Sequence, residues 1–294
     1  MSAPVLAPAS RRTGAVLIAA AALLWSSGGL FIKLAPMPPL AVAFGRSLVC
    51  SILYLVVLRP KLSRASWSTA AAYAATVLSF VLATRMTTAA NAIFLQYTGP
   101  AYVLLLAPWL LRERLTRVDV ASVVLSLAGM SLFFLGRVEA GQAAGNLIAV
   151  FSGLSFGLTV LLMRRDAAHG HGDAMPSTVL GNLIACAVAL PFAAPALHAI
   201  ATPAGAFVLL YLGLVQLGLA YFLFTSGLKT VPAAEASLLC MLEPVLNPLW
   251  VFLGTGERPG PWALAGGALV VGTVAARALW REEDAGGREP TASR

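Results

Sequence analysis

Charged residues are scarce in this sequence. Asp, Glu, Lys and Arg make up 11% of the 294 residues, whereas hydrophobic residues make up 59%. An ordinary soluble domain is about 25% charged. The composition therefore excludes an ordinary soluble protein and predicts an integral membrane protein.

Cysteine, histidine and the signatures of catalysis are scarce as well. Cys50, Cys186 and Cys240 all lie in apolar stretches, and an odd number there does not predict a disulfide framework. Two loop histidines, His169 and His171, are weak evidence for a metal site. The sequence has no phosphate-binding glycine loop, nucleophile elbow or zinc-protease helix motif. We therefore expect no enzyme activity, no cofactor and no bound metal.

Long apolar runs are what the sequence has in abundance. Ten of them are long enough to cross the hydrocarbon core as helices, which takes about 20 residues each. The loops between them are too short for a soluble domain. We predict an all-α integral membrane protein with ten transmembrane helices at 13–34, 40–58, 68–86, 90–111, 118–136, 145–163, 175–195, 204–228, 232–254 and 261–280.

The net charge of +8 indicates membrane topology rather than a nucleic-acid partner. With the N-terminus inside, fifteen of the 20 Lys and Arg residues fall at cytoplasmic ends of the spans, and Arg46 lies within a span. Only Lys33, Arg85, Arg137 and Arg258 fall on the outer side. The positive-inside rule then places both termini in the cytoplasm. We expect a multi-pass protein of the plasma (inner) membrane.

The chain contains an internal repeat. Shifting it by 144 residues places Pro100 on Pro244 and Glu113 on Glu257. Each copy is an apolar run with a proline near its middle and a Glu-Arg pair at its end. The Glu-Arg pair either anchors the helix end at the membrane interface or holds a gate of the transporter closed. Five spans per copy is an odd number, so the second copy must lie inverted in the membrane, as in many transporters. The predicted units are a tail at 1–12, a five-helix repeat at 13–136, a linker at 137–144, a five-helix repeat at 145–280 and a tail at 281–294.

The two repeated prolines predict the position of a binding site. A proline inside a helix removes one backbone hydrogen bond, so Pro100 frees the carbonyl of Gln96 and Pro244 frees that of Cys240. In a membrane, such carbonyls are tolerated only against protein or a water-filled cavity. Broken helices at matching positions of two halves indicate a transporter's substrate site.

Several segments resemble the EamA repeat of the drug/metabolite transporter superfamily. They are RERLT at 112–116, MLEPVLNPL at 241–249, FGRS at 44–47 and the LLWSSGG of the first span. The resemblance extends from about residue 14 to residue 280. It implies ten helices, cytoplasmic termini and a central cavity lined by spans 1, 3, 4, 6, 8 and 9. The second copy departs from the pattern, because it closes with GERPGP rather than ERLT.

More narrowly, NAIFLQYTGPAYVLLLAP at 91–108 resembles the amino-acid exporter branch of YddG-like aromatic amino acid exporters. This resemblance implies a secondary transporter that exports amino acids or related small metabolites across the inner membrane by alternating access. Exchange of nucleotide sugars or phosphorylated metabolites is an alternative, although it calls for several basic groups facing the cavity. A membrane-embedded lipid enzyme is a further alternative, and it calls for paired acidic, His or Cys residues at one depth.

Aromatic and polar side chains concentrate on the spans expected to line the cavity. A cleft with aromatic walls and a few polar groups suits a small amphipathic metabolite. For each residue taken singly, helix packing or an interfacial position is the alternative. The candidate substrate-binding residues are Trp25, Ser26, Tyr73, Asn91, Phe94, Gln96, Tyr97, Tyr102, Ser155, Phe156, Tyr211, Gln216 and Ser237, with Thr159 and Tyr221 nearby.

A second set consists of candidates for coupling or gating. Glu243 lies near the membrane midplane, where it is either a protonatable or cation-binding group or a structural partner for the broken helix. Glu235 is shallower and can reach cytoplasmic water. Arg46 is the only deep cation, and it either snorkels to the interface or partners Glu243. Pro100 and Pro244 complete this set as the sites of the breaks.

Small residues line spans 5 and 10, at Ser126, Gly129, Ser131, Gly266, Gly267 and Gly272. Small residues let membrane helices approach closely. Packing within one protomer, and so a monomer, is the simpler interpretation, and a dimer face is the alternative. The expected partners are a small-molecule substrate and the lipid bilayer, with no nucleic acid.

Overall fold

The computed structural model describes residues 10–133, 142–168, 172–246, 250 and 260–286, and these residues contain helices and no strand. The α-helices are α1 (Arg11–Trp25), α2 (Gly28–Leu34), α3 (Pro39–Leu53), α4 (Trp67–Met86), α5 (Ala89–Gln96), α6 (Gly99–Leu110), α7 (Arg117–Phe133), α8 (Ala143–Ala168), α9 (Met175–Ala193), α10 (Leu197–Ile200), α11 (Pro203–Leu210), α12 (Ala220–Gly227), α13 (Ala233–Cys240) and α14 (Pro261–Gly286). Two π-helical stretches, Tyr54–Leu58 and Tyr211–Leu219, extend α3 and join α11 to α12.

Seven segments of the described chain are long and apolar enough to cross a membrane. They are Arg11–Leu34, Pro39–Leu58, Trp67–Met86, Asn91–Leu110, Ala143–Ala168, Met175–Ala196 and Pro203–Gly227. At the predicted fifth span, α7 has 17 residues, and at the tenth the apolar part of α14 is Leu264–Arg277. The ninth span lies partly outside the described residues. The all-helical membrane architecture is confirmed, and the count of ten remains a prediction.

Two of the membrane-crossing segments are broken helices. The first segment breaks between α1 and α2, where the hydroxyl of Ser26 donates to the carbonyl of Leu23 (2.6 Å) and that of Ser27 to the carbonyl of Leu24 (3.0 Å). The fourth breaks between α5 and α6, and Pro100 is the second residue of α6. Proline is well tolerated there because the first turn of a helix has no intrahelical partner for its N–H.

The helices pack in pairs around a common centre. α4 packs against α8 and α9, α3 against α9, α1 against α12 and α13, and α6 against α13. α1 and α12 approach closely at two glycines. A Cβ on Gly14 would lie 2.2 Å from Thr230 Oγ1, and a Cβ on Gly227 would lie 2.6 Å from the carbonyl oxygen of Gly14. Side chains at these positions would force the two helices apart.

The small residues of spans 5 and 10 meet within the protomer. α7 packs against α14, and a Cβ on Gly129 would lie 2.9 Å from the carbonyl oxygen of Gly266. Packing within one protomer therefore accounts for these two glycines. Gly272 differs, because a Cβ there would meet nothing within 4 Å.

Candidate functional site

A small cavity lies where the broken segments meet. Its volume is about 40 Å³. One water needs roughly 10–15 Å³ measured in this way, so the cavity has room for about three waters and not for a metabolite. In this structure the cavity is therefore too small to hold a metabolite. The lining residues are Trp25, Arg46, Thr76, Val77, Phe80, Gln96, Tyr97, Phe156, Gln216, Leu217, Tyr221 and Glu243.

Aromatic rings form one wall of the cavity. The ring of Trp25 lies 4.8 Å from that of Tyr221 and 6.3 Å from that of Phe156, and it meets Phe156 edge to face. The ring of Tyr97 lies 6.2 Å from that of Phe156. Such edge-to-face and tilted pairs hold the rings in fixed orientations. The four rings come from α1, the break after α5, α8 and α12, so the wall forms only when both halves of the chain pack together.

Arg46 supplies the positive charge of the cavity. It is only 1% exposed, although it lies in the middle of an apolar helix. Its Nη2 donates to the carbonyl of Val77 (3.0 Å) and its Nη1 to Oε1 of Gln216 (3.4 Å). Snorkelling of Arg46 to the interface is therefore wrong as an interpretation. The side chain turns inward because α3 packs against α4 and the Tyr211–Leu219 stretch, which present these acceptors.

Glu243 supplies the acidic group of the cavity. It is 7% exposed and accepts a hydrogen bond of 2.5 Å from the hydroxyl of Tyr97. Tyr97 lies in the break between α5 and α6, and Glu243 lies in a helical turn at 242–246 that follows the end of α13. The two proline-associated breaks thus meet each other at this bond. No ion pair joins Glu243 to Arg46 in the described chain, although both line the same cavity.

The carbonyl of Gln96, which Pro100 leaves without its helical partner, faces a neighbouring helix. A Cβ on Gly153 of α8 would lie 2.8 Å from the carbonyl oxygen of Gln96 and 2.9 Å from that of Leu95. The side chain of Gln96 reaches the cavity and donates to Ser152 Oγ (3.0 Å). The break can pack directly against α8 because Gly153 has no side chain.

Replacing Gly153 by Ala should destabilise the protein. The nearest atom to a Cβ on Gly153 would be Thr98 Oγ1 (2.7 Å), and the next two are backbone oxygens that cannot rotate away. Overpacking of this kind costs about 1–3 kcal/mol. We expect a lower melting temperature in detergent, measured by following thermal unfolding. Gly272→Ala is the matched control, because open space surrounds a Cβ at that position. Equal melting temperatures for both variants would contradict the close approach at Gly153.

Several predicted substrate-binding residues lie outside the cavity lining and bind protein groups instead. The hydroxyl of Tyr73 accepts from Asn182 Nδ2 (3.0 Å), and that of Tyr211 lies 2.7 Å from Ser27 Oγ. Ser26 accepts from Trp250 Nε1 (2.7 Å). Asn91 donates to Thr87 and Asn146, Ser237 donates to the carbonyl of Ala234, and a Cβ on Gly157 would touch Tyr102. Ser155 and Thr159 are buried in α8, and Phe94 is half-buried on α5.

Four lining residues were not among those predicted: Thr76, Val77, Phe80 and Leu217. Three of them lie on one face of α4, whose sequence mixes Ser and Thr with apolar residues on every side and so does not mark that face. The repeat carried a signal for one of them, because the 144-residue shift places Phe80 on Phe224. Phe224 packs its ring 5.1 Å from that of Trp25.

Charged side chains join the helix ends on one side of the cavity. Glu113 accepts from Arg164 Nε at Oε1 (2.8 Å) and from the backbone N–H of Ala233 at Oε2 (3.0 Å). Arg164 Nη1 also donates to the carbonyls of Leu228 (2.6 Å) and Lys229 (3.1 Å). We call the Glu113–Arg164 pair with these backbone groups the latch. It ties α8 to the ends of α6, α12 and α13. Glu257, its counterpart in the repeat, lies outside the described residues.

Two further ion pairs lie on the same side as the latch. Arg11 pairs with Glu235 between α1 and α13, and Arg277 pairs with Asp119 between α14 and α7. Glu235 therefore reaches a partner at the end of the bundle rather than the cavity. On the opposite side, Arg85 donates to carbonyls at the end of α2, including that of Ile32 (3.2 Å). Polar contacts thus join helix ends on both sides of the bundle.

A family model and a solved structure both match this chain along most of its length. The model of the EamA-like transporter family matches residues 12–135 and again residues 143–276. A solved crystal structure superposes with a TM-score of 0.72 and covers 93% of this chain and 99% of its own, at 20% identity, which shows a shared fold.

Curated relatives carry names of the same kind. An uncharacterized transporter of Archaeoglobus fulgidus is 27% identical over 208 residues, which is 70% of this chain and 73% of that protein. The uncharacterized transporter YwfM of Bacillus subtilis is 28% identical over 264 residues, covering 85% of this chain and 88% of its own length. Together with the apolar helices and the double match of the family model, these likenesses show that the chain is a multi-pass membrane protein and belongs to the EamA-like transporter family.

Proposed function

We propose that the protein is a secondary transporter that exports amino acids or related small metabolites across the inner membrane. The observation that carries this proposal is the composition of the central cavity: aromatic walls, one buried cation at Arg46 and one buried acidic group at Glu243. This set matches a zwitterion with an apolar side chain. Phosphorylated cargo would call for several basic groups, whereas Arg46 is the single Lys or Arg among the lining residues of the described chain.

Alternating access is the mechanism that we propose. The closed cavity of about 40 Å³ must widen to admit any amino acid, so helices have to move apart on one side at a time. The packing supports two inverted repeats. α4 of the third predicted span packs against α8 of the sixth, and α1 of the first packs against α12 of the eighth, as an exchange of the two halves requires. The two matches of the family model support the same division.

The direct test of function is solute exchange in proteoliposomes that contain the purified protein. Vesicles preloaded with an unlabelled amino acid should take up the same labelled amino acid from outside, because exchange needs no gradient of an ion. A panel of amino acids, amines and sugar phosphates identifies the cargo, and protein-free vesicles are the control. Exchange of sugar phosphates without exchange of any amino acid would overturn the proposed substrate class.

Replacing Trp25 or Tyr97 by Ala should weaken binding of an apolar amino acid about tenfold or more. Burial of the cargo's side chain against such a ring contributes about 1–3 kcal/mol, and about 1.4 kcal/mol corresponds to a factor of ten. The sequence placed Tyr102 in the same role, but Tyr102 lies outside the lining, so Tyr102→Ala is expected to have a smaller effect. The apparent affinity of each of the three variants is measured from the dependence of exchange on the concentration of the amino acid. Equal losses at Tyr102 and Trp25 would contradict the assigned walls.

The proposed topology places both termini in the cytoplasm, with the latch on that side. Reporter fusions at Glu139 and Asp173 should then report opposite sides, outside and inside respectively. These positions flank α8, which is long enough to cross the membrane once. An alkaline phosphatase reporter is active only outside the cytoplasm, and a fluorescent protein that folds only in the cytoplasm serves as its complement. Activity of the same reporter at both positions would contradict the inverted arrangement.

A further inference from the structure

The guanidinium of Arg46 is buried without a counter-ion in the described chain. Its side chain is 1% exposed, and its two hydrogen bonds go to neutral acceptors, the carbonyl of Val77 and the amide oxygen of Gln216. Its Nε has no hydrogen-bond partner in the described chain. An arginine carries five N–H donors and remains charged in proteins. Most of this donor capacity is therefore unused.

Such an arrangement is unfavourable unless an anion completes it. A buried charge needs both an opposite charge and hydrogen bonds to offset the loss of its water. Glu243 lines the same cavity, yet it is hydrogen-bonded to Tyr97 and forms no ion pair with Arg46. The protein thus holds a cation and an acidic group apart across a cavity that has aromatic walls. Arginine suits a carboxylate in particular, because its planar fork offers two parallel N–H donors to two oxygens.

We infer that Arg46 is the carboxylate-binding residue of the substrate site. The Nε edge of its guanidinium receives the carboxylate of the cargo, while Gln216 holds the other edge in place. An ammonium group on the cargo then lies toward Glu243 and Tyr97, and an apolar side chain lies against Trp25 and Phe156. This inference rests on the proposed function for its amino-acid cargo. The requirement for a carboxylate follows from Arg46 itself.

The experiment compares three probes that differ by one group each. L-phenylalanine carries both charges, phenylalanine amide lacks the carboxylate, and 3-phenylpropionate lacks the ammonium. Each probe competes with labelled phenylalanine for exchange in proteoliposomes, and each is also tested for thermal stabilisation of the protein in detergent. For the wild type we expect the amide to bind at least about tenfold more weakly than phenylalanine, while 3-phenylpropionate retains measurable binding.

Variants of Arg46 assign the preference to this residue. Arg46→Gln should bind phenylalanine and its amide equally, and Arg46→Lys should keep part of the preference, because a lysine offers charge without the fork. Arg59→Gln is the matched control. Arg59 is exposed at the end of the same predicted span, so its loss should leave the preference unchanged. If Arg46→Gln does not fold, the wild-type series and Arg46→Lys still decide the outcome.

The possible results separate this inference from the proposed function. A wild type that binds the amide as well as phenylalanine overturns the role of Arg46, and so does an Arg46→Gln protein that keeps the full preference. If phenylalanine is exchanged in either case, the proposed function still stands. Conversely, a protein that binds 3-phenylpropionate through Arg46 but exchanges no amino acid supports the carboxylate site and overturns the amino-acid cargo.

Discussion

Replacing Glu243 by Gln is expected to preserve folding and some exchange of the cargo but to abolish accumulation driven by a gradient. Glu243 is buried at the cavity and held by the hydroxyl of Tyr97. If it is the coupling group, it must take up and release a proton or cation in each cycle. Glutamine has nearly the same shape and can accept the same hydrogen bond, yet it cannot change charge. Coupling is then lost while the site remains.

The measurement is uptake into proteoliposomes with and without an imposed pH gradient, for the wild type beside Glu243→Gln. Glu235→Gln is the matched control, because Glu235 is the other acidic residue of this region but pairs with Arg11 at the end of the bundle. The control should retain the wild-type response to the gradient. Identical gradient dependence in wild type and Glu243→Gln would end the coupling hypothesis and leave Glu243 with a packing role.

Tyr97→Phe adds an independent check on the same group. The substitution removes only the hydroxyl that donates to Glu243 and keeps the ring beside Phe156. If coupling acts through the carboxyl group of Glu243, losing this hydrogen bond affects the coupling step most directly. The Tyr97→Phe protein should therefore differ from the wild type more in its response to the pH gradient than in its affinity for the cargo.

The sequence predicted the breaks of the structure better than it predicted the site. A proline lacks the N–H that a helix interior needs, so an interruption at Pro100 could be predicted from the chain alone. The same rule does not distinguish Pro100 from Pro108 and Pro191, which lie inside α6 and α9. The direction of a long side chain does not. Arg46 was open to snorkelling or burial until the acceptors at Val77 and Gln216, which come from other helices, were in place.

Hydrogen bonds to residues distant in the chain also explain why some predicted substrate-binding residues lie outside the cavity lining. Tyr73 and Tyr211 lie on spans that were expected to line the cavity. Their hydroxyls are instead hydrogen-bonded to Asn182 and Ser27, respectively. These contacts join positions 109 and 184 residues apart in the chain. Periodicity along one helix carries no information about such contacts. An internal repeat does carry some information about such contacts. Phe80 could therefore have been predicted as a lining residue from its counterpart, Phe224, which packs against Trp25.

Weakening the latch should open the cavity on the side where Glu113 lies. Both oxygens of Glu113 are occupied, by Arg164 and by the N–H of Ala233, so one carboxylate ties α8 to the start of α13. Both side chains of the pair are largely buried, at 13% and 15% exposure. Hydrogen bonds to charged groups under such conditions contribute about 1.5–3 kcal/mol. Glu113→Gln should therefore raise the population of the open state about tenfold or more.

Cys240 provides a native reporter for this opening. It ends α13, three residues before Glu243, and is fully buried in the closed structure. In a protein with Cys50 and Cys186 replaced by Ala, Cys240 is the only thiol. Its reaction with a membrane-impermeant maleimide should be slow in the wild-type background. In the Glu113→Gln background it should be about tenfold faster.

Asp119→Asn separates the latch from a general loss of surface charge. Asp119 pairs with Arg277 on the same side, but it joins α7 to α14 rather than α8 to α13. Its replacement should leave the labelling rate of Cys240 unchanged. Arg164→Gln should also speed the labelling of Cys240, and the double variant should open less than the sum of the two single effects, because both substitutions remove the Glu113–Arg164 contact. Unchanged labelling in Glu113→Gln would show that the helices part elsewhere, and fully additive effects would show that the two residues act independently.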